Sequence, residues 1–312
     1  MICALCLNPC VDKTITIHGF SYGEMNRIQH VRRDGSGKGV NVAIAAKSLG
    51  HQAHLVGFGT EGDNLVQQRL LASDVDCTMV QAFDTIRVNT KVLNTEDHVI
   101  TELNESGARV SDQHIKAVVR HTIHQAKESD FMVLTGSMPP GCDATLYARL
   151  IADVQREAPH CHCVLDAEGE VFRSGVEAGP YMVKPNRYEL EMYMGEELST
   201  LSAVKAAGQA LLQKGITIVL ISMGSEGAML VTSDGCHYAP PMDVTVKSTV
   251  GAGDSMTVGM LCALEDGYSA AEAFRHSVAA ASSAVMTEGT GLIDPVIYKD
   301  LIPKVTMEAI ND

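Results

Sequence analysis

The chain has no long apolar run, no excess of basic residues, no internal repeat and no low-complexity tract, and each absence excludes a class of function. None of its hydrophobic stretches approaches the roughly 18–20 residues that a bilayer-spanning helix requires, so no membrane partner is expected. Lys and Arg number 24 against 38 Asp and Glu, a formal charge of −14. A protein of this sign repels phosphate backbones, which excludes general binding to nucleic acid. Any anionic ligand must therefore be met by locally placed cations and backbone amides. The opening Met1–Asn8 is apolar but has no basic n-region, and Asp12 and Lys13 soon follow. It reads as a buried first strand, not a signal peptide. The nine cysteines are odd in number and scattered through apolar stretches, as expected of reduced thiols in a cytoplasmic protein. Paired C-x-x-C spacing is missing. His160, Cys161, His162 and Cys163 run into a strand, where alternate side chains face opposite ways, so they are not expected to share a metal. No Pro/Gly/Ser-rich linker divides the chain, and one domain spanning residues 1–312 is expected.

What is present is ordinary globular composition, 46% hydrophobic and 20% charged, arranged as strands alternating with helices. Ile2–Leu7, Ala53–Phe58, Phe131–Thr135, Cys163–Asp166, Tyr181–Lys184 and Ile216–Ser222 read as strands. Gly39–Leu49, Gly62–Ser73, Asp112–Lys127, Ala144–Ala158, Tyr188–Met194 and Leu201–Lys214 read as helices between them. Such alternation implies βαβ units, a mostly parallel sheet and an α/β fold. Residues 14–33 and 78–104 break it with period-two patterns, and are expected to form a small sheet outside the main layers, a lid. After Gly251 the chain turns helical over Ala270–Met286 and Pro295–Ile310.

Chemistry concentrates in two glycine-rich turns. Ser248-Thr249-Val250-Gly251-Ala252-Gly253-Asp254-Ser255 leads into a helix expected from about Met256. Its glycines permit a tight turn that gathers N–H groups at one point, and the helix aims its positive end there. The result is an anion hole with Asp254 at its mouth. Asp254 could accept a proton from an attacking hydroxyl or merely cap the helix; spacing does not choose between them. The second turn is Gly35-Ser36-Gly37-Lys38-Gly39-Val40-Asn41-Val42-Ala43. Lys38 is followed by Gly39 where a Walker motif has Ser or Thr, so a Walker-type ATP site is not supported. Lys38 and Asn41 remain candidate ligands for a phosphate or sugar hydroxyl. Further polar groups fall at strand ends, where open α/β sheets bind ligands. These are Asn8 and Asp12, Gly136-Ser137, Lys184-Pro185-Asn186 with Glu189, and Ser222-Met223-Gly224-Ser225-Glu226-Gly227.

Gly35–Ala43 together with Ser248–Asp254 resembles the two signature segments of the PfkB carbohydrate kinase family, also called the ribokinase family. The similarity extends to Leu7-Asn8-Pro9-x-x-Asp12, Arg87-x-Asn89, Thr135–Gly141, Val183-Lys184-Pro185-Asn186-x-x-Glu189 and Ser222-x-Gly224-x-x-Gly227. Many members that take free sugars or nucleosides carry Asp-Thr where this chain has Ser248-Thr249. With Lys38 and Arg87, this form is similar to the branch that phosphorylates sugar phosphates: 1-phosphofructokinases, minor 6-phosphofructokinases and tagatose-6-phosphate kinases.

The resemblance implies a ribokinase-like three-layer α/β sandwich with a β lid that often forms the contact of a homodimer. It implies ATP with Mg²⁺, and a ketohexose phosphate as acceptor. Fructose 1-phosphate leads, with tagatose 6-phosphate and fructose 6-phosphate as alternatives. It makes Asp254 the base, and the backbone of Gly251, Ala252 and Gly253 the holder of transition-state charge. Asp12, Gly37 and Asn41 would bind the sugar; Lys38, Arg87 and Ser137 its phosphate. Lys184, Asn186, Ser222, Gly224, Gly227, Ser248 and Thr249 would line the nucleotide site. Asn186 and Glu189 would organise Mg²⁺ through water. Ser248, Val250, Ala284, Thr287, Gly289 and Gly291 resemble a monovalent-cation (K⁺) site. A non-catalytic sensor is disfavoured because Asp254 and the signature glycines are present, and a ribose or nucleoside kinase because Asp-Thr is not.

Overall fold

The computed structural model describes residues 1–61, 64–97, 99–288 and 291–310. Its layers follow from strands that are apolar on both faces. β1 (Ile2–Cys6) buries every side chain. Ile2, Ala4 and Cys6 enter one core cluster, and Cys3 and Leu5 the other, as the two-residue period of a strand dictates. Such a strand is stable only between two layers of helices.

The chain continues through β2 (Cys10–Ile17), β3 (His30–Ser36), α1 (Lys38–Ser48), β4 (Ala53–Thr60), α2 (Leu65–Ala72) and β5 (Asp76–Phe83). Next come β6 (Arg87–Asn94), β7 (Ile100–Asn104), α3 (Asp112–Ala126), β8 (Phe131–Thr135), α4 (Leu146–Glu157), β9 (His162–Asp166), α5 (Gly169–Glu177) and β10 (Met182–Val183). Then follow α6 (Arg187–Met194), α7 (Leu201–Leu212), β11 (Ile218–Ser222), β12 (Ala228–Thr232) and β13 (Gly235–Ala239). The chain closes with α8 (Ala252–Glu265), α9 (Ala270–Val285), α10 (Pro295–Leu301) and β14 (Glu308–Ala309).

The large sheet runs β14-β13-β12-β11-β10-β9-β8-β1-β4-β5. It is parallel from β5 to β11 and antiparallel from β11 to β14. Helices α1, α2, α8, α9 and α10 pack on one face; α3 to α7 pack on the other. From β1 the chain moves out to β4 and β5, then returns to β8 on the opposite flank. Strand order therefore reverses at β1, and in open α/β sheets ligands bind beyond the carboxyl ends of the strands at such a point. A second sheet, β3-β2-β6-β7, stands apart with a small apolar cluster of its own, Ile15, Ile17 and Val92.

Several sequence expectations need correction. Asp76–Phe83 was expected within the small sheet from residue 78, but it is the edge strand of the large one, parallel to β4. Met79 packs into one core cluster and Val80, Ala82 and Phe83 into the other, with Phe83 edge-on to Phe58 at 5.9 Å; contact on both faces draws the strand inward. The expected helix over Pro295–Ile310 stops at Leu301, a short 3₁₀ turn follows over Ile302–Lys304, and Pro303 cannot continue helical hydrogen bonding. The expected helix over Gly62–Ser73 starts at Leu65, capped by the Asn64 side chain; Gly62 lies outside the described residues. α5 was not expected, because Gly169 and Gly175 are poor helix formers. At Gly175 a Cβ would meet the Leu165 side chain at 2.6 Å, so the glycine is there for close helix–sheet approach.

Candidate active site

A cavity of about 910 Å³ opens beyond the carboxyl end of β1, between the two sheets. At its floor Gly251 caps α8 with φ +76°, a left-handed conformation that glycine adopts without strain. α8 therefore begins at Ala252, earlier than expected. No protein acceptor among the described residues takes the N–H groups of Gly253 and Asp254, which are orphan donors of a helix start. Lys184 adds a charge: its ammonium would lie 3.3 Å from a Cβ on Gly253.

Asp254 is 5% exposed, and its Oδ2 accepts from Asn41 Nδ2 at 2.8 Å. Burial pushes its carboxyl up to about 6, against the opposing pull of Lys38 and with a push from Asp166. That value suits a base working near neutrality. Asp166, at the end of β9, is fully buried and lies between two lysines. Lys38 Nζ is 3.0 Å from its Oδ1, and Lys184 Nζ is 3.3 Å from its Oδ2. Burial alone would raise the Asp166 carboxyl, but the two ammoniums outweigh it and hold the group below its ordinary value. Lys38 is held protonated, chiefly by Asp166.

The opposite wall belongs to the small sheet. Asp12 is buried on β2, and its Oδ2 accepts from Lys91 Nζ at 3.1 Å. Arg87, Asn89 and Lys91 alternate along β6 and so share one face, and all three line the cavity. Arg87 donates to the carbonyls of Asn8, at 3.0 and 3.2 Å, and Glu105, at 2.7 Å. Asn8 Nδ2 in turn reaches Ser137 Oγ at 3.2 Å.

The cavity lining brings together Asp12, Gly37, Lys38, Asn41, Arg87, Ser137, Lys184, Asn186, Glu189, Ser222, Thr249, Gly251, Gly253 and Asp254. Gly224, Gly227, Ser248 and Ala252 are not in the lining. Gly227 has φ +90°, and a Cβ there would sit 2.1 Å from the Ala239 carbonyl, so it serves the β12–β13 hairpin. Lys38 is paired with Asp166, which Lys184 also meets. Sequence reasoning missed Asp166 and Lys91. Asp166 had a signal, a carboxylate ending a buried strand; Lys91 had a weaker one, its place in the every-second-residue series Arg87, Asn89, Lys91.

Asn186 and Glu189 cap each other at the start of α6: Asn186 Oδ1 accepts from the Glu189 N–H, and Glu189 Oε2 from the Asn186 N–H, both at 2.8 Å. Burial holds the Glu189 carboxyl above its ordinary value. Among the described residues no group of three or more His, Cys, Asp or Glu is placed to hold a metal. Hard oxygen donors with half their capacity spent on the backbone fit a Mg²⁺ that arrives with nucleotide phosphates and keeps its waters. Near the anion hole, Val285 O accepts from Lys247 N and Ser248 N, and Ala284 O from Thr287 N and Oγ1. This brings the Ser248 turn beside the carboxyl end of α9; Gly289 lies outside the described residues.

A buried carboxylate beside free helix-start amides, with ammoniums next to it, suits phosphoryl transfer to a hydroxyl: the class is a small-molecule kinase. The chain belongs to the pfkB family of carbohydrate kinases, whose sequence model matches residues 6–296, and it is an ATP-dependent sugar kinase. It is 30% identical to 1-phosphofructokinase of Haemophilus influenzae over 312 residues, covering 99% of each chain. It is 35% identical to 1-phosphofructokinase of Xanthomonas campestris over 269 residues, covering 83% of each. The crystal structure of phosphofructokinase-2 from Escherichia coli in complex with potassium is similar with TM-score 0.89 at 28% identity, covering 97% of this chain and 98% of that one. Kinases of this family use ATP, generally with Mg²⁺. No helix of the described residues is long and apolar enough to cross a membrane.

Proposed function

We propose that the chain transfers the γ-phosphoryl group of ATP to a hydroxyl of a ketohexose phosphate, with fructose 1-phosphate as substrate and fructose 1,6-bisphosphate as product. The observation that carries the reading is a further cation in the same cavity. Lys38 and Lys184 flank the anion hole; Arg87 stands on the small sheet in no ion pair among the described residues, while the charge of Lys91 is met by Asp12. A free sugar has no use for that charge. Names of the relatives point to fructose 1-phosphate over the alternatives, fructose 6-phosphate and tagatose 6-phosphate.

In this reading Asp12 and Asn41 hold the sugar, and Asn8 and Arg87 order the Ser137 loop around its phosphate. Asp254 takes the proton of the acceptor hydroxyl. The oxygen attacks the γ-phosphorus, the bond to ADP breaks, and the Gly253 and Asp254 amides with Lys184 and Lys38 receive the charge. Asn186 and Glu189 would hold, through water, the Mg²⁺ that comes with ATP, and the ion would supply charge to neutralise the phosphates. A monovalent cation beside Ser248, Val250, Ala284, Thr287 and Gly291 would stiffen the anion hole from behind. The small sheet acts as a lid on a single domain, because it carries Asp12, Arg87 and Lys91 and closes the cavity from one side.

The test is ADP release with Mg-ATP and a panel of hexose phosphates. Fructose 1-phosphate should give the highest kcat/KM, and free fructose and ribose values at least about a hundredfold lower. Equal rates with a free sugar would defeat the proposal.

The lid also supports a homodimer. Phe20, Ile28, Val31, Ile100 and Leu103 are large apolar residues exposed on its loops and edge strands, more than a solvated sheet needs. Val31→Asp with Leu103→Asp should halve the mass seen by sedimentation. An unchanged mass, or a wild type that is monomeric, would remove the lid as the contact.

A further inference from the structure

The amide of Asn41 is held at both ends. Nδ2 donates to Asp254 Oδ2 at 2.8 Å, and Oδ1 accepts from Arg69 Nη1 at 3.2 Å. A guanidinium has donors only, so the atom turned toward Arg69 must be the carbonyl oxygen. The NH₂ is thereby committed to the carboxylate. The same Nη1 donates to Gly35 O at 2.7 Å. Gly35 makes this possible: a Cβ there would stand 2.2 Å from Leu65 O, so only glycine lets the start of α2 press against β3. Arg69, one turn into α2, then reaches the glycine-rich turn and Asn41 together.

We infer that Arg69 is a positioning residue for phosphoryl transfer: it fixes the Asn41 amide so that its NH₂ orients the Asp254 carboxylate toward the acceptor hydroxyl. The inference rests on reading Asp254 as the base. Among the described residues no other side chain donates to the Asn41 oxygen. Lys38, Lys184 and Asp166 act on Asp254 through their charges, and they leave the Asn41 amide free to turn. Without Arg69 that amide can present its oxygen to Asp254, and two acceptors facing each other favour the protonated carboxyl. Removal of the guanidinium charge works in the same direction. The pKa of Asp254 should climb, and the acid limb of the rate profile should move to higher pH.

The experiment compares Arg69→Met, Arg69→Lys and both changes in an Asn41→Ala background, measuring kcat, KM and the pH profile with fructose 1-phosphate and Mg-ATP. Arg69→Met should lower kcat about ten- to a hundredfold and raise the acid limb by about one pH unit, with KM for ATP little changed. Arg69→Lys keeps the charge and one donor, and should recover part of both losses. In the Asn41→Ala background Arg69→Met should add little, because the two residues act as one unit. A loosened fold would lower melting temperature and overall rate but leave the acid limb in place. An unmoved limb in Arg69→Met and Arg69→Lys, or additive losses in the double variants, overturns the inference. Failure of the base assignment itself reads differently: Asp254→Asn would then turn over normally.

Discussion

Asp254→Asn should lower kcat by about 10²–10⁴-fold, the range that a positioned general base supplies, while KM for ATP changes little. Asn is nearly isosteric, and its side-chain oxygen can still accept from Asn41 Nδ2, so the cavity and the anion hole survive. What disappears is the ability to take a proton. The wild-type profile should fall below a pH of about 6, where the Asp254 carboxyl becomes protonated; the Asn variant should lack that limb. Stability should move the other way. Folding raises this carboxyl from 3.8 to about 6, so the native state binds the proton more tightly than the unfolded chain. Wild type is therefore most favoured below the lower value and loses stability as pH rises through the upper one. The cost of the buried charge at neutral pH is on the order of 3 kcal/mol. Asp254→Asn should melt at or above the wild-type temperature at pH 8 and lose that advantage in acid. Near-normal turnover in the variant would end the base assignment.

Much of this site was legible because its parts are local. Gly251, Ala252 and Gly253 before a helix announce an anion hole within one stretch of chain, and the strand-end residues Asp12, Ser137, Lys184 and Ser222 announce a crevice. Side-chain pairing across the molecule was not legible. Asp166 and Lys38 are 128 positions apart, and only the parallel order β9-β8-β1 puts the end of β9 beside the start of α1. The resemblance assigned Lys38 to the acceptor's phosphate, and nothing in its own loop announced that its ammonium pairs with Asp166. Arg87 was expected as a phosphate anchor, but much of its fork is spent on the Asn8 and Glu105 carbonyls, which no spacing rule reveals. The fold was misread where contact overruled pattern. β5 has the alternation of a lid strand, yet both of its faces find partners in the large core. α5 has the glycines of a loop, yet Gly175 is what lets it sit on Leu165.

Asp166→Ala should destabilise the protein by about 3 kcal/mol, the cost of leaving a buried charge without its partner, and lower Tm by roughly 5 °C. Lys184 is 5% exposed and Asp166 1%, so solvent cannot replace the carboxylate at that ammonium. Lys38 is far more open to the cavity and contributes less to the loss. The sign with pH is fixed by the depressed Asp166 carboxyl: its stabilisation is present above the ordinary carboxylate pKa and lost as pH falls through the native value. The gap in Tm between wild type and variant should therefore be widest near neutrality and narrow in acid. Catalysis supplies a second reading, best taken with Asp166→Asn, which keeps the shape and one acceptor oxygen for one of the two lysines and removes the charge. Asp166 is one of the groups that push the Asp254 carboxyl up, so its neutralisation should carry the acid limb of the rate profile to lower pH, opposite to the shift expected for Arg69→Met. A variant that melted with wild type across the pH range would show the lysines satisfied without Asp166. An acid limb that failed to move would show that Asp166 and Asp254 do not share a field.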